Sequence, residues 1–236
     1  MTSLTSTSIL VCGASGVLGG EIARLLTAEG AQLVLTGRDR NRLTALGLPG
    51  IIHPADLSDP TAPATLVERT LEAYGALDGI VNASGVVAFG PSSAVSEDTL
   101  ETLFTVNTLA PMRLLRAAIA PLTASADAGR EPFILTLSGV VSEVPTANMA
   151  AYSASKAGLA AWATATGREL RRTGVRVLDA RPGHTETGLV SRALEGTAPK
   201  LAPGLDPAIV ARRIVAAIVS GERDLPSAAF TEASAS

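Results

Sequence analysis

A chain of 236 residues is long enough to bury one large α/β core, while two full domains would be a squeeze. Its 47% apolar content suits buried strands covered by small-residue helices. The 3% of aromatics and net charge of −3 offer neither base-stacking platforms nor a basic footprint for nucleic acid. The one cysteine, Cys12, excludes an intrachain disulfide and a structural cysteine zinc site, and no metal is expected. Residues 1–8 lack the basic and apolar regions of a signal peptide, and no apolar run approaches ~20 residues. The expectation is a cytoplasmic protein with no membrane partner.

Short apolar runs alternate with helical spacing along the chain. Ser8–Cys12 reads as a buried strand, Val17–Ala28 as a helix and Gln32–Thr36 as a second strand. Ile51–Ile52 follows, then a helix over 61–74 and a strand over 78–82. A long helix over 98–123 leads to the strand Phe133–Leu137. An Ala-rich helix over 150–172 precedes a strand over 175–180, and Pro207–Ser220 reads as an amphipathic helix. Strands separated by helices of this length make right-handed βαβ units and a parallel sheet. The expected fold is α/β: a single doubly wound Rossmann domain over residues 1–226, with helices on both faces. The Ala/Ser/Thr-rich residues 227–236 are expected to form a mobile tail.

Three patterns carry chemistry. Gly13-Ala-Ser-Gly16-Val-Leu-Gly19 follows the first strand and opens a helix. There glycines let the chain turn, approach a pyrophosphate and pack helix on strand. The second strand ends in Thr36-Gly37-Arg38, where an NAD site wants a carboxylate for the ribose. A guanidinium suits the 2′-phosphate of NADP instead, and the adjacent Asp39 is expected to cap the next helix. Tyr152-Ser-Ala-Ser-Lys156 places a phenol and an ammonium on one helical face, where the cation favours phenolate.

Taken in order, these patterns resemble the short-chain dehydrogenase/reductase family to about residue 190. The resemblance also draws on Asp56-Leu57-Ser58, Val81-Asn82-Ala83-Ser84-Gly85, Asn107, Ser138 and Pro182-Gly183 with Thr187. It implies a cofactor site formed by Gly13, Ser15, Gly16, Leu18, Gly19, Arg38, Asp56, Leu57, Asn82, Ala83 and Gly85. Pro182, Gly183, Thr185 and Thr187 complete that site beside the nicotinamide. Tyr152 is the implied acid/base, Lys156 the ribose ligand that depresses the phenol, and Asn107 the anchor of a proton-relay water. The implied activity is NADP(H)-dependent hydride transfer to or from a small carbonyl or secondary alcohol, in a homodimer or homotetramer. A dinucleotide-binding regulator and a non-redox lyase or isomerase are the rival readings.

The chain departs from the family pattern in four places. Cys12 stands where Thr is usual, Ala83 replaces a second Asn, and the glycine spacing is that of the family's longer branch. Most consequentially, the substrate-polarising serine belongs thirteen residues before the tyrosine, where this chain has Gly139. Ser138 serves only if the chain bulges or widens between Gly139 and Ala147, turning its hydroxyl to Tyr152. The competing arrangement leaves Gly139 lining the pocket, with Ser142, His184 or a water in the role. His184 and Glu186 otherwise belong to a solvated loop.

Overall fold

β1 (Ser8–Cys12) lies between β2 (Gln32–Thr36) and β4 (Gly79–Asn82), and every strand pairing is parallel. A computed structural model describes residues 2–231, and all the strands it contains join one sheet. Its order is β3 (Ile51–Ile52), β2, β1, β4, β5 (Phe133–Leu137), β6 (Arg176–Ala180) and β7 (Asp224–Leu225). The helices are α1 (Val17–Ala28), α2 (Arg40–Thr44), α3 (Ala62–Tyr74), α4 (Glu97–Phe104), α5 (Ala110–Asp127), α6 (Ala150–Glu169), α7 (Pro207–Ser220) and α8 (Ala228–Thr231). This is the expected doubly wound Rossmann sheet. The strand order reverses between β1 and β4, where such sheets open a ligand crevice.

The apolar strands have no polar face because both faces are covered. Ile9, Val11, Leu33 and Leu35 meet Ile22 and Leu26 of α1 and Ile214 of α7. Leu10, Val34 and Ile80 point the other way, toward Leu66 of α3, Leu114 of α5 and Ala163 of α6. Fully burying each of the Val, Leu and Ile side chains among these contributes roughly 1.5–3 kcal/mol. Asp39 caps α2 by accepting from the Asn41 and Arg42 amides, as expected. Arg176, buried at the start of β6, donates to the Ala217, Ile218 and Glu222 carbonyls and so satisfies the end of α7.

The long helix expected over 98–123 is two helices joined by a π-helical turn, Thr105–Leu109, that holds Asn107. β7 and α8 were not expected, since each is too short to carry a hydrophobic period. The expected tail begins at Ser227. Ala228–Thr231 form a short helix whose Phe230 is buried against the α1–α7 core, and Ser227 Oγ donates to Glu143. The remaining tail residues, 232–236, lie outside the described residues. Among the described residues, no helix is long and apolar enough to cross a membrane, and no cluster of three metal-ligating side chains occurs.

Candidate active site

The loop after β1 is built by backbone demands. Gly13 has φ +77°, and a Cβ there would come within 2.7 Å of the Ala83 carbonyl carbon and Ser84 nitrogen. The loop after β1 therefore touches the loop after β4, across the crevice. A Cβ at Gly19 would overlap the Gly13 carbonyl, so Gly19 lets α1 pack closely on its own approach loop. Gly16 caps α1 without any side-chain bond, leaving the first amides open to an anion. These residues fit a pyrophosphate. At the far end of the crevice, a Cβ on Gly37 would strike the Ser15 hydroxyl, and Arg38 is exposed. Arg38 makes no ion pair among the described residues. Asp56 accepts from the Ser58 amide beside the buried Leu57, and Asn82 accepts from the Ser84 hydroxyl at 2.5 Å.

Asn107, Lys156 and Gly85 converge beside the first turns of α6. A Cβ on Gly85 would lie 3.3 Å from both Asn107 Oδ1 and Lys156 Nζ. Asn107 is fully tied: its Oδ1 accepts from the Val86 amide at 2.9 Å, and its Nδ2 donates to the Val86 carbonyl and Ser155 Oγ at 3.0 Å. The π-helical turn aims this side chain inward, a local geometry common at functional sites. Ser155 sits three residues after Tyr152, inside the Tyr-x-x-x-Lys segment, and went unread in the sequence. Lys156 is buried and donates to the Leu137 carbonyl at 2.7 Å.

Burial sets the charges here. It pushes the Tyr152 phenol up to about 12 and the Lys156 ammonium down to about 8, with Asp179 pulling Lys156 the other way. The expected lowering of the phenol by Lys156 is therefore not what the protein alone produces: desolvation prevails over the cation. The Tyr152 hydroxyl has no hydrogen-bond partner among the described residues.

The structure corrects the expected orientation of Ser138. Its hydroxyl is fully buried and donates to Asp179 Oδ2 at 2.6 Å, behind the strand ends instead of toward Tyr152. Two strand residues apart point to one face, so Ser138 follows Thr136, which also bonds Asp179. The turn at residues 140–142 does not alter this. Gly139 takes φ +74°, ψ 166°, a conformation that L residues rarely adopt, with only the Pro182 carbonyl near its Cβ position, at 3.7 Å. Ser142 donates to the Gly139 carbonyl at 2.7 Å. His184 lies 3.4 Å from Glu186, whose carboxylate also accepts from the Gly204 amide, so this pair ties its loop to residues 204–205.

Pro182 is buried and its carbonyl accepts from Val140; Thr185 bonds the Gly183 carbonyl, and Thr187 bonds the Thr185 carbonyl. An apolar cavity of about 430 Å³ adjoins this turn, lined by Val140, Gly183, His184, Leu201, Leu205 and Ala228. Asp179 belongs to none of the motifs read from the sequence. A carboxylate inside Val-Leu-Asp-Ala, an otherwise apolar strand, was the available signal.

The chain matches the family model described as short chain dehydrogenase over residues 7–197. It belongs to the short-chain dehydrogenase/reductase family. Like that family it is an oxidoreductase. This dehydrogenase/reductase is 32% identical over 225 residues to a protein named ketoacyl reductase HetN from Nostoc, covering 92% of this chain and 77% of that one. A short chain dehydrogenase from Burkholderia cenocepacia, solved in complex with NADP, is 28% identical with a TM-score of 0.81, covering 95% of this chain and 97% of its own. A metagenomic short-chain oxidoreductase, also solved with NADP, is 31% identical with a TM-score of 0.79, over 95% and 98% of the two chains.

Proposed function

We propose that the protein is an NADP(H)-dependent oxidoreductase that transfers a hydride between nicotinamide and a small carbonyl or secondary alcohol, with Tyr152 as acid/base. The observation that carries this reading is the convergence over Gly85 of Lys156, on the helix that bears Tyr152, and Asn107 from the π-helical turn. When bound, the cofactor supplies or accepts the hydride. Gly13, Ser15, Gly16, Leu18 and Gly19 hold its pyrophosphate, and Arg38 pairs with the 2′-phosphate beside the Ser15 hydroxyl that Gly37 admits. Asp56, Leu57, Asn82 and Ala83 border the adenosine, while Pro182, Gly183, Thr185 and Thr187 border the nicotinamide.

Lys156 binds the nicotinamide ribose, and Asn107 holds the relay end of the site. Tyr152 gives its proton to the substrate oxygen on reduction and takes it on oxidation. A phenol pushed up to about 12 favours the giving direction in the protein alone, since it keeps its proton at neutral pH. Ser138 has no substrate contact in this reading, because its proton goes to Asp179. The protein is proposed to act in the cytoplasm as a homodimer or homotetramer, paired through the helices α4–α5 and α6. The exposed Phe104, Leu109 and Ile119 support that pairing.

The test follows NADPH absorbance across a panel of aldehydes and ketones, with alcohols and NADP⁺ run in reverse. Turnover of at least one pair, lost on Tyr152→Phe, is the expected result. Binding of NADPH with no turnover of any carbonyl or alcohol would favour the regulator and overturn the reading. A monomeric mass at micromolar concentration would remove the oligomer.

A further inference from the structure

Behind the catalytic lysine the protein buries a second charge. Asp179, one residue before the end of β6, is 4% exposed and receives hydrogen bonds from both sides of one β5 residue. Thr136, its register partner, donates Oγ1 to Oδ1 at 2.8 Å. Ser138 donates its amide to Oδ1 at 3.3 Å and its hydroxyl to Oδ2 at 2.6 Å. The residue between them is Leu137, and the Leu137 carbonyl is the acceptor of the Lys156 ammonium at 2.7 Å. One carboxylate thus clamps the two positions that flank the carbonyl holding the lysine. Arg181 bonds Asp179 Oδ2 at 3.1 Å and is held in turn by Glu143 at 2.5 Å and Asp224 at 2.7 Å. A carboxylate buried in an apolar strand is a weak source of stability, since an apolar residue of like volume often serves as well.

We propose that Asp179 is a positioning residue for Lys156: it fixes the Leu137 carbonyl toward the ammonium and supplies the negative charge that keeps that ammonium protonated. As a role in cofactor binding this rests on the reading of Lys156 as the ribose ligand; as a statement about Lys156 it does not. The second function matters because burial draws Lys156 down to about 8, close enough to neutrality that losing a nearby anion would discharge it. Around the ammonium stand the Leu137 carbonyl it donates to and the neutral Asn107 from the π-helical turn. Asp179 from β6 acts on it through its charge, and Tyr152 lies four residues earlier on its own helix. Arg181 stands beyond Asp179, with Glu143 and Asp224 outside it. Asp179 and Arg181 therefore act on Lys156 with opposite signs.

The chain has only two lysines, Lys156 and the exposed Lys200, so ¹³Cε-lysine labelling gives two titrating signals with one as internal reference. In the cofactor-free protein Lys156 should titrate near 8. Asp179→Asn, nearly isosteric, should move that titration down by at least about one pH unit, and Arg181→Gln should move it up. At pH 7.5, NADPH titration by fluorescence should show several-fold weaker binding to Asp179→Asn than to wild type. A purely structural role for Asp179 would lower the melting temperature and leave the Lys156 titration in place. A folded Asp179→Asn in which Lys156 titrates as in wild type overturns the proposal. If Asp179→Asn does not fold, Arg181→Gln decides alone, and no upward movement of Lys156 overturns it. A wild type that binds neither NADPH nor NADH would sink the proposed function, yet the lysine titration would still judge Asp179.

Discussion

Two loops at the same edge of the sheet make different demands on the sequence. After β1, the crevice needs backbone to turn and come close: Gly13 at φ +77° against Ala83 and Ser84, and Gly19 against the Gly13 carbonyl. Only one residue type meets such demands, so the demand is written directly into the sequence. After β5, the issue is where a hydroxyl points, and neighbours from other strands decide that. Ser138 and Gly139 differ by one position, yet Asp179 on β6 captures the Ser138 proton and the left-handed Gly139 offers none. Counting residues back from Tyr152 predicts which position reaches the pocket. It does not predict that a buried carboxylate waits behind the strand.

The sharpest way to break this comparison is to ask whether Tyr152 works without a serine. Tyr152→Phe keeps the ring packing and removes the proton, so turnover on an identified substrate should fall by about 10²–10⁴-fold while NADPH still binds. Near-normal turnover would move the acid/base role elsewhere. A companion measurement needs no substrate. Tyr74 and Tyr152 are the only tyrosines, and burial raises both, Tyr152 to about 12. The folded, cofactor-free chain should therefore show little tyrosinate absorbance at pH ~10, where free tyrosine is half ionised. Saturating NADP⁺ should bring one of the two down. A phenol already ionising near pH 8 without cofactor would show that Lys156 outweighs burial after all.

The same contrast explains how much was legible. Strands buried on both faces announce themselves as apolar runs, and Ser8–Cys12, Gln32–Thr36 and Phe133–Leu137 lie where the sequence put them. The capping role of Asp39 was readable because it is local. β7 was not: two residues flanked by charges and proline carry no period, and they form a strand only because β6 offers an edge. The π-helical turn at Asn107 was hidden because its residues keep helical spacing on both sides. Phe230 was assigned to a tail because its neighbours are small and polar; the core that buries it is assembled from α1 and α7, far away in sequence.

The next prediction separates the two fates of Ser138. As a substrate polariser, its loss would cost about 10²–10³-fold in rate. As a donor to Asp179, its loss removes one buried hydrogen bond to a charged group, or ~1.5–3 kcal/mol of stability. Ser138→Ala should therefore lower the melting temperature and change turnover by less than about tenfold, since Thr136 and Arg181 still hold Asp179. A rate loss of the larger size at unchanged stability would return Ser138 to the substrate.

The smallest expected effect lies in the glycine-rich half, at Arg38. In the proposed reading the backbone there sets where a dinucleotide sits, and the choice between its two forms falls to one exposed side chain. Gly37 leaves space only for the Ser15 hydroxyl, so a phosphate at this corner meets Ser15 and the guanidinium that follows. Exposure screens the pair, so the contribution belongs at the lower end of charge-assisted bonds, about 1.5 kcal/mol, or roughly tenfold in affinity. Arg38→Ala should weaken NADPH by that factor, leave NADH unchanged, and flatten the salt dependence of NADPH binding. Calorimetric titration of both cofactors at two ionic strengths separates the outcomes. Equal weakening of NADPH and NADH would mean that Arg38 supports the adenosine site generally, and no weakening would place the 2′-phosphate away from it. Either result would show that even in the loop governed by backbone, the one choice left to a side chain escapes a reading by residue type.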